Sequence, residues 1–243
     1  MLSIFKKEIT SFFSSLIAYI VVAVFLVMTG LFMWVFNETS ILNYNYASLD
    51  QLFALAPMIF LFLIPAITMR SFAEENLRGT IEFLATKPLR DTDIVLGKYF
   101  ANFTLVALAL LPTLLYYYSV HQLGSPVGNL DSGGILGSYI GLLFLGGAFV
   151  AIGMWTSSIT SNQIVAFILG SFFCFIFHWS FEFLSDLNIF AGGADSFIAK
   201  LGIAHHYDSI SRGVLDSRDI IYFLSIIFIF IMATLTALSK RKW

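Results

Sequence analysis

The sequence predicts an all-α membrane protein: an N-terminal amphipathic helix in the membrane interface, six transmembrane helices, and a short helix facing the cytoplasm between the second and third spans. Three observations predict it. Hydrophobic residues make up 58% of the 243-residue chain and charged residues 12%, about half the charged share of a soluble domain, so lipid must cover much of the surface. Six apolar runs of spanning length use nearly the whole chain, so residues 1–243 read as one transmembrane unit with no room for a separate soluble enzyme. The net charge of −2 is uninformative, but the basic residues are distributed unevenly. With the N-terminus inside, Lys6, Lys7, Arg70, Arg78, Lys87, Arg90, Lys98, Lys240, Arg241 and Lys242 are cytoplasmic, against Lys200, Arg212 and Arg218 outside. That positive-inside bias puts both termini in the cytoplasm.

The elements follow in chain order. In residues 1–15, Leu2, Phe5, Ile9, Phe12 and Leu16 recur at spacings of three and four, with Ser3, Lys6, Lys7, Thr10 and Ser14 between them; such a helix lies in the interface. Residues 16–36 carry no charge and 13 Leu, Ile, Val or Phe residues, which favours insertion by about 4 to 8 kcal/mol. A signal peptide is the competing reading, but the run is too long and lacks a small-residue cleavage site. Further spans fall at 52–69, 99–120, 135–155, 164–183 and 220–238, each long enough to cross ~30 Å at 1.5 Å per residue. Pro57, Pro65 and Pro112 sit within spans, where neighbouring helices can satisfy the freed carbonyls. In the fourth span, Gly137 and Gly141 match a small-residue packing motif, read here as packing within one bundle. Tyr116, Tyr117, Tyr118 and Trp179 are placed to form an aromatic belt at the outer interface.

Two segments outside the spans are substantial. Residues 70–98 carry five basic and five acidic residues. Phe72–Arg78 continues the second span inward, and Gly79 permits a left-handed turn. Thr80 is placed to cap a short helix Ile81–Ala85, and Pro88 stops it. Asp91 and Asp93 favour the start of the third long helix. On the residues alone, a docking handle for a partner protein and a merely solvated loop are both open. The second segment, residues 184–219, is external and acid-rich.

The string Glu74-Glu75-x-x-Arg78-Gly79-Thr80-Ile81-Glu82-x-Leu84-x-x-x-Pro88-Leu89, leading to Lys98, resembles the signature of type-2 ABC transporter permeases. The six-span layout and the N-terminal helix also resemble that family. The resemblance implies a permease subunit in the bacterial inner membrane, with no catalysis of its own. It implies a coupling helix that docks on a separate ATPase subunit, which binds the ATP, and a second permease copy or paralogue. Glu74, Glu75, Arg78 and Glu82 would then pair with charges on the ATPase.

A second stretch, His206-Tyr207-x-Ser209-Ile210-x-Arg212-Gly213-Val214-Leu215-Asp216-x-x-Asp219, is similar to the end of gliding-motility-associated ABC permeases and related copper-processing permeases. That similarity implies a membrane-anchored partner with a large periplasmic domain. The residues predict an outer helix Ser209–Leu215 with an Arg212–Asp216 surface pair, and Asp216 or Ser217 capping the last span. Tyr207, Ser209, Arg212, Gly213 and Asp216 are candidates for an external gate or partner contact, or for structural closure of the outer face.

Other chemistries find less support. No G-x-x-x-x-G-K-[ST] loop occurs, so the chain cannot be the ATPase itself. A lone Cys174 and adjacent His205 and His206 make no metal motif. No charged residue lies centrally in a span, which argues against an ATPase-independent, ion-coupled transporter. His178 and Glu182, four apart near the outer end of the fifth span, read as a hydrogen-bonded pair; a membrane enzyme using them is the remaining alternative. The basic Lys240–Lys242 end reads as a membrane anchor, with no nucleic acid as partner.

Overall fold

The computed structural model describes residues 1–43, 46–80, 90–186 and 194–240, and these residues are helical, with no strand among them. The amphipathic start folds as α1 (Leu2–Ser14), burying Ile4 and Phe12. The uncharged run that follows gives α2 (Leu16–Gly30), which ends in a π-helical turn over Leu31–Val35. Next come α3 (Asp50–Thr68) and α4 (Arg70–Leu77), nearly continuous across Met69. After them α5 (Asp91–Leu110) passes through a 3-10 turn at Leu111–Thr113, where Pro112 interrupts the ladder, into α6 (Leu114–Leu123).

The longest unbroken helix, α7 (Ser132–Ser158), is the hub of the bundle. It is followed by α8 (Gln163–Phe175), with a π turn at Ile176–Ser180 leading into α9 (Phe181–Ser185), then α10 (Ala194–Ala199), α11 (Ile203–Ser211) and α12 (Ser217–Ser239). The hub packs against α3, α4 and α5 before it and against α8, α11 and α12 after it. A helix can touch so many neighbours only if its own side chains are small. A Cβ on Gly146 would lie 2.8 Å from Val106, and one on Gly147 would lie 2.9 Å from the Tyr99 hydroxyl. Gly137 meets the Gly213 backbone and Gly141 meets Ile210, so the small-residue motif serves packing inside this one bundle.

Among the described residues six helical stretches are long and apolar enough to cross a membrane: Ala18–Val35, Asp50–Leu77, Asp91–Leu123, Ser132–Ser158, Gln163–Ser185 and Ser217–Ser239. Several outrun the apolar segments that predict them. The second continues past residue 69 and the third starts before residue 99, and both extensions stay packed in the bundle, with Phe72, Ala73 and Val95 fully buried. At the opposite end Asp131 caps α7 and Asp216 caps α12, each accepting from a backbone N–H group.

The outer segment departs from expectation in two ways. Its helix is Ile203–Ser211, not Ser209–Leu215: Gly213 at φ +82° turns the chain out of the helix just after Arg212. The apolar stripe Ile203, Tyr207 and Ile210, all buried, sets the helical face. Arg212 consequently pairs backward with Asp208 at 2.6 Å, leaving Asp216 free for its cap.

Candidate functional site

The site is an elbow where α3 passes into α4 beside the ends of α1, α5 and α7. Its local cause is the pair Pro65 and Ser157. Pro65 has no N–H to give to the helical ladder, and α3 gives way to α4 at Met69. The amides just beyond that junction turn to α7: Phe72 N and Ala73 N both donate to Ser157 Oγ at 3.0 Å, and Ser157 Oγ donates to Met69 O at 2.8 Å. Ser157 is fully buried. One turn on, Asn76 Nδ2 donates to Thr160 O at 3.0 Å. The end of α7 and its exit turn therefore hold α4 at two points along its length.

A buried lysine holds α4 from the other side. Lys98, on α5, is 2% exposed. Its Nζ donates to Ser71 O at 2.7 Å and to Glu8 and Glu75 Oε1 at 3.0 Å each. A 5.2 Å approach to the Phe72 ring adds a cation–π contact. Asn102 Nδ2 donates to Ser71 Oγ at 3.0 Å. From α1, Lys7 donates to the same Glu75 oxygen at 3.1 Å. Burial works against the Lys7 ammonium, but the Glu75 and Glu8 carboxylates outweigh it and hold its pKa above the ordinary lysine value. Two lysines and two glutamates from three helices thus share one knot, where each buried charge has an opposite partner.

Of the residues expected to meet a partner, Glu75 is consumed in this knot and is only 13% exposed at its side chain. Glu74 pairs within α4 and its C-cap, with Arg70 at 2.9 Å and Arg78 at 2.7 Å; Arg78 is 68% exposed and points outward. Gly79 has φ +65°, with Thr80 N bonded to Glu75 O at 3.0 Å and Gly79 N to Asn76 O at 3.3 Å. That is the two-bond glycine termination of a helix. Ile81, Glu82, Leu84 and Pro88, with the short helix and the stop they predict, lie outside the described residues. A cavity of about 310 Å³ borders the elbow, lined by Lys7, Glu8, Arg70, Glu74, Arg78 and Thr80 among others.

Sequence reasoning missed Ser157, Asn76, Glu8 and the role of Lys98. Only Lys98 carried a signal: a lysine followed directly by the apolar run Tyr99-Phe100-Ala101 needs a partner.

At the opposite end, the second motif is pinned to the bundle. Tyr207, 5% exposed, donates its hydroxyl to Phe53 O at 2.7 Å, and burial raises its phenol well above the ordinary range, so it remains a donor. Ser138 Oγ donates to Ser211 O at 2.7 Å. Gly213 lies directly on Gly134. His206 sits 2.7 Å from Asp219 and 2.9 Å from Lys200 O. Ser209 is half-buried, while Arg212 and Asp216 are exposed. The pair expected between His178 and Glu182 does not form: His178 is buried with both ring nitrogens unpartnered, and Glu182 is exposed.

No curated protein matches the sequence. The model of the ABC-2 family transporter proteins matches residues 35–238, which covers the elbow, the hub helix and the outer segment and leaves out α1 with Lys7 and Glu8. A multi-pass helical membrane chain matched over so much of its length belongs to the ABC-2 transporter family, as a membrane permease component.

Proposed function

We propose that the chain is the membrane-spanning permease subunit of an ATP-driven transporter, with both termini and residues 70–98 in the cytoplasm. A separate ATPase subunit would dock at the end of α4 and the segment 81–89. The chain would work as a pair with a second copy or a paralogue. The observation that carries the reading is the clamped elbow: a helix that continues α3 and is tied to α7 through Ser157 and to α1 and α5 through Lys98. A handle transmits force only if it moves with the spans. Driving a two-state gate from 1:99 to 99:1 takes about 5.5 kcal/mol of differential binding, and a loose handle would dissipate that bias in its own bending. Leu77, Arg78, Gly79 and Thr80 are the exposed residues at the tip. Glu82 would supply a charge to the ATPase, in place of Glu75.

The finer placement, a permease of the gliding-motility type with a membrane-anchored partner on the periplasmic face, is supported by the stretch from His206 to Asp219. Arg212, Val214 and Leu215 are exposed residues of that stretch.

Co-purification with the ATPase subunit tests the reading. Glu82→Lys should weaken association by roughly tenfold or more, the effect of about 1.4 kcal/mol or more at an interfacial charge. Gly79→Pro should uncouple ATP hydrolysis from the permease. Normal assembly and coupling in both variants, or transport by the chain alone on an ion gradient, would defeat the proposal.

A further inference from the structure

His206, on α11, joins the outer segment to the last span. Its ring Nδ1 sits 2.7 Å from Asp219 Oδ1 on α12, and its Nε2 sits 2.9 Å from the Lys200 carbonyl, in the connector between α10 and α11. The ring lies on Tyr222 with centroids 3.9 Å apart and planes at 22°, and the Tyr222 hydroxyl donates to Leu201 O at 2.6 Å. Both ring nitrogens therefore face oxygens. A backbone carbonyl only accepts, as does an ionised carboxylate, whereas a neutral imidazole has one donor and one acceptor. The two bonds exist together only if the His206–Asp219 pair holds one proton more than a neutral imidazole beside a carboxylate. Which of the two carries it makes no difference. An imidazolium donates on both sides; a protonated Asp219 donates to Nδ1 while the Nε2–H group donates to Lys200 O. Without that proton the neutral ring keeps its N–H for the Asp219 carboxylate, the stronger acceptor, and turns a lone pair towards those of Lys200 O.

We propose that His206 and Asp219 form a proton-operated latch on the outer segment. With the proton bound, the ring bridges α12 and the connector; without it, the Lys200 contact is lost and residues 200–202 come free, while the bond to Asp219 stays. The Tyr222 face under the ring favours its cationic form. Because the latched state holds the extra proton, acidity fastens the connector, and the fastening is lost as the pH rises. The other titratable and charged groups around the ring lie outside the bridge. His205 meets it edge-on at 5.4 Å and is exposed, as are the Lys200 and Arg218 side chains. The hub helix α7 carries no charged residue. From α3 and the π turn, Asp50 and His178 border a cavity lined by Tyr207 and Asp208, a face of α11 that does not include His206.

The test is amide hydrogen exchange on the full chain in phosphatidylcholine nanodiscs at about pH 5 and about pH 8, the range over which histidine changes charge, corrected for the intrinsic rate at each pH. The reporters are the amides of Lys200, Leu201 and Gly202, which donate to the carbonyls of Ser196, Ile198 and Ala199. Their protection should fall by about tenfold or more at the higher pH, the weight of one hydrogen bond to a charged group. The amide of Ala166, bonded to Asn162 O at the start of α8, should keep its protection. His206→Gln should remove the pH dependence, and His205→Gln should retain it. Tyr222→Phe, which takes away the bond to Leu201 O, should lower protection at both pH values and preserve their ratio. The proposal is overturned by equal protection at the two pH values in the native chain, a measurement that needs no variant to fold. It is equally overturned by a ratio that survives in His206→Gln, or by one that disappears in His205→Gln or Tyr222→Phe. No ATPase is present in the measurement, so its outcome is independent of the permease assignment.

Discussion

Lys98 decides more than any other side chain at the elbow. A lysine ammonium at 2% exposure is tolerable only because Glu8, Glu75 and the Ser71 carbonyl surround it, and desolvation is costly for an unpaired charge. Replacing the knot wholesale with apolar residues can be neutral, whereas removing one partner strands the others. Lys98→Met leaves the largely buried Glu8 and Glu75 with only the exposed Lys7 as a cationic partner, so it should destabilise the purified chain by up to about 3 to 5 kcal/mol. Adding Glu75→Gln to that variant should recover part of the loss. Thermal unfolding of the two single variants and the double variant checks both statements; additive losses would show that the residues are not coupled. None of this was legible in the sequence beyond the oddity of a lysine beside an apolar run. Glu8 lies 90 residues away and Glu75 lies 23 away, and no local pattern links such distances. The same limit hid Ser157, an ordinary serine by sequence that receives two amides from a helix 85 and 84 residues distant.

At the level of elements, apolar run length revealed the six spanning helices and amphipathic spacing revealed α1, because in a bilayer every backbone polar group must be satisfied within its own helix. Where helices leave that constraint, boundaries moved. The outer helix starts earlier than the sequence predicts because the buried stripe Ile203, Tyr207 and Ile210 sets its face and Gly213 ends it. Two glycines that end helices separate the cost of backbone strain from the cost of packing. Gly79 at φ +65° has open space where a methyl would sit, with nothing within 4 Å. Gly79→Ala should therefore cost only the left-handed strain, about 1 to 2 kcal/mol. Gly213 at φ +82° would bear the same strain, but its Cβ would also drive into the Gly134 backbone, which cannot move without shifting α7. Gly213→Ala should cost at least about 1 to 3 kcal/mol more. Comparing the two by thermal unfolding tests whether the outer segment is docked as tightly as its contacts state; equal losses would mean that it detaches freely.

At the scale of the whole molecule, one geometric fact joins the two ends. The stretch Asp50–Leu77 is 28 residues long, or about 42 Å at 1.5 Å per residue. It begins beneath Tyr207, bonded through Phe53 O, and ends at the Gly79 turn. A tilt of this rod about the bilayer would move the outer segment and the elbow together, with α7 held to both by Ser138 and Ser157. That arrangement gives the proposed transporter a physical link between its faces, and it also makes the orientation testable. Thr80 and the exposed Ser239 at the end of α12 belong to one face, while Val214, 59% exposed, belongs to the other. The single native cysteine, Cys174, is fully buried and gives a quiet background. In intact spheroplasts a membrane-impermeant maleimide should label Val214→Cys, and should label Thr80→Cys and Ser239→Cys only after permeabilisation. Ten basic residues against three favour that orientation. Labelling of Thr80→Cys and Ser239→Cys from outside, with Val214→Cys protected, would place the elbow away from any source of ATP, and no docking engine could then reach it.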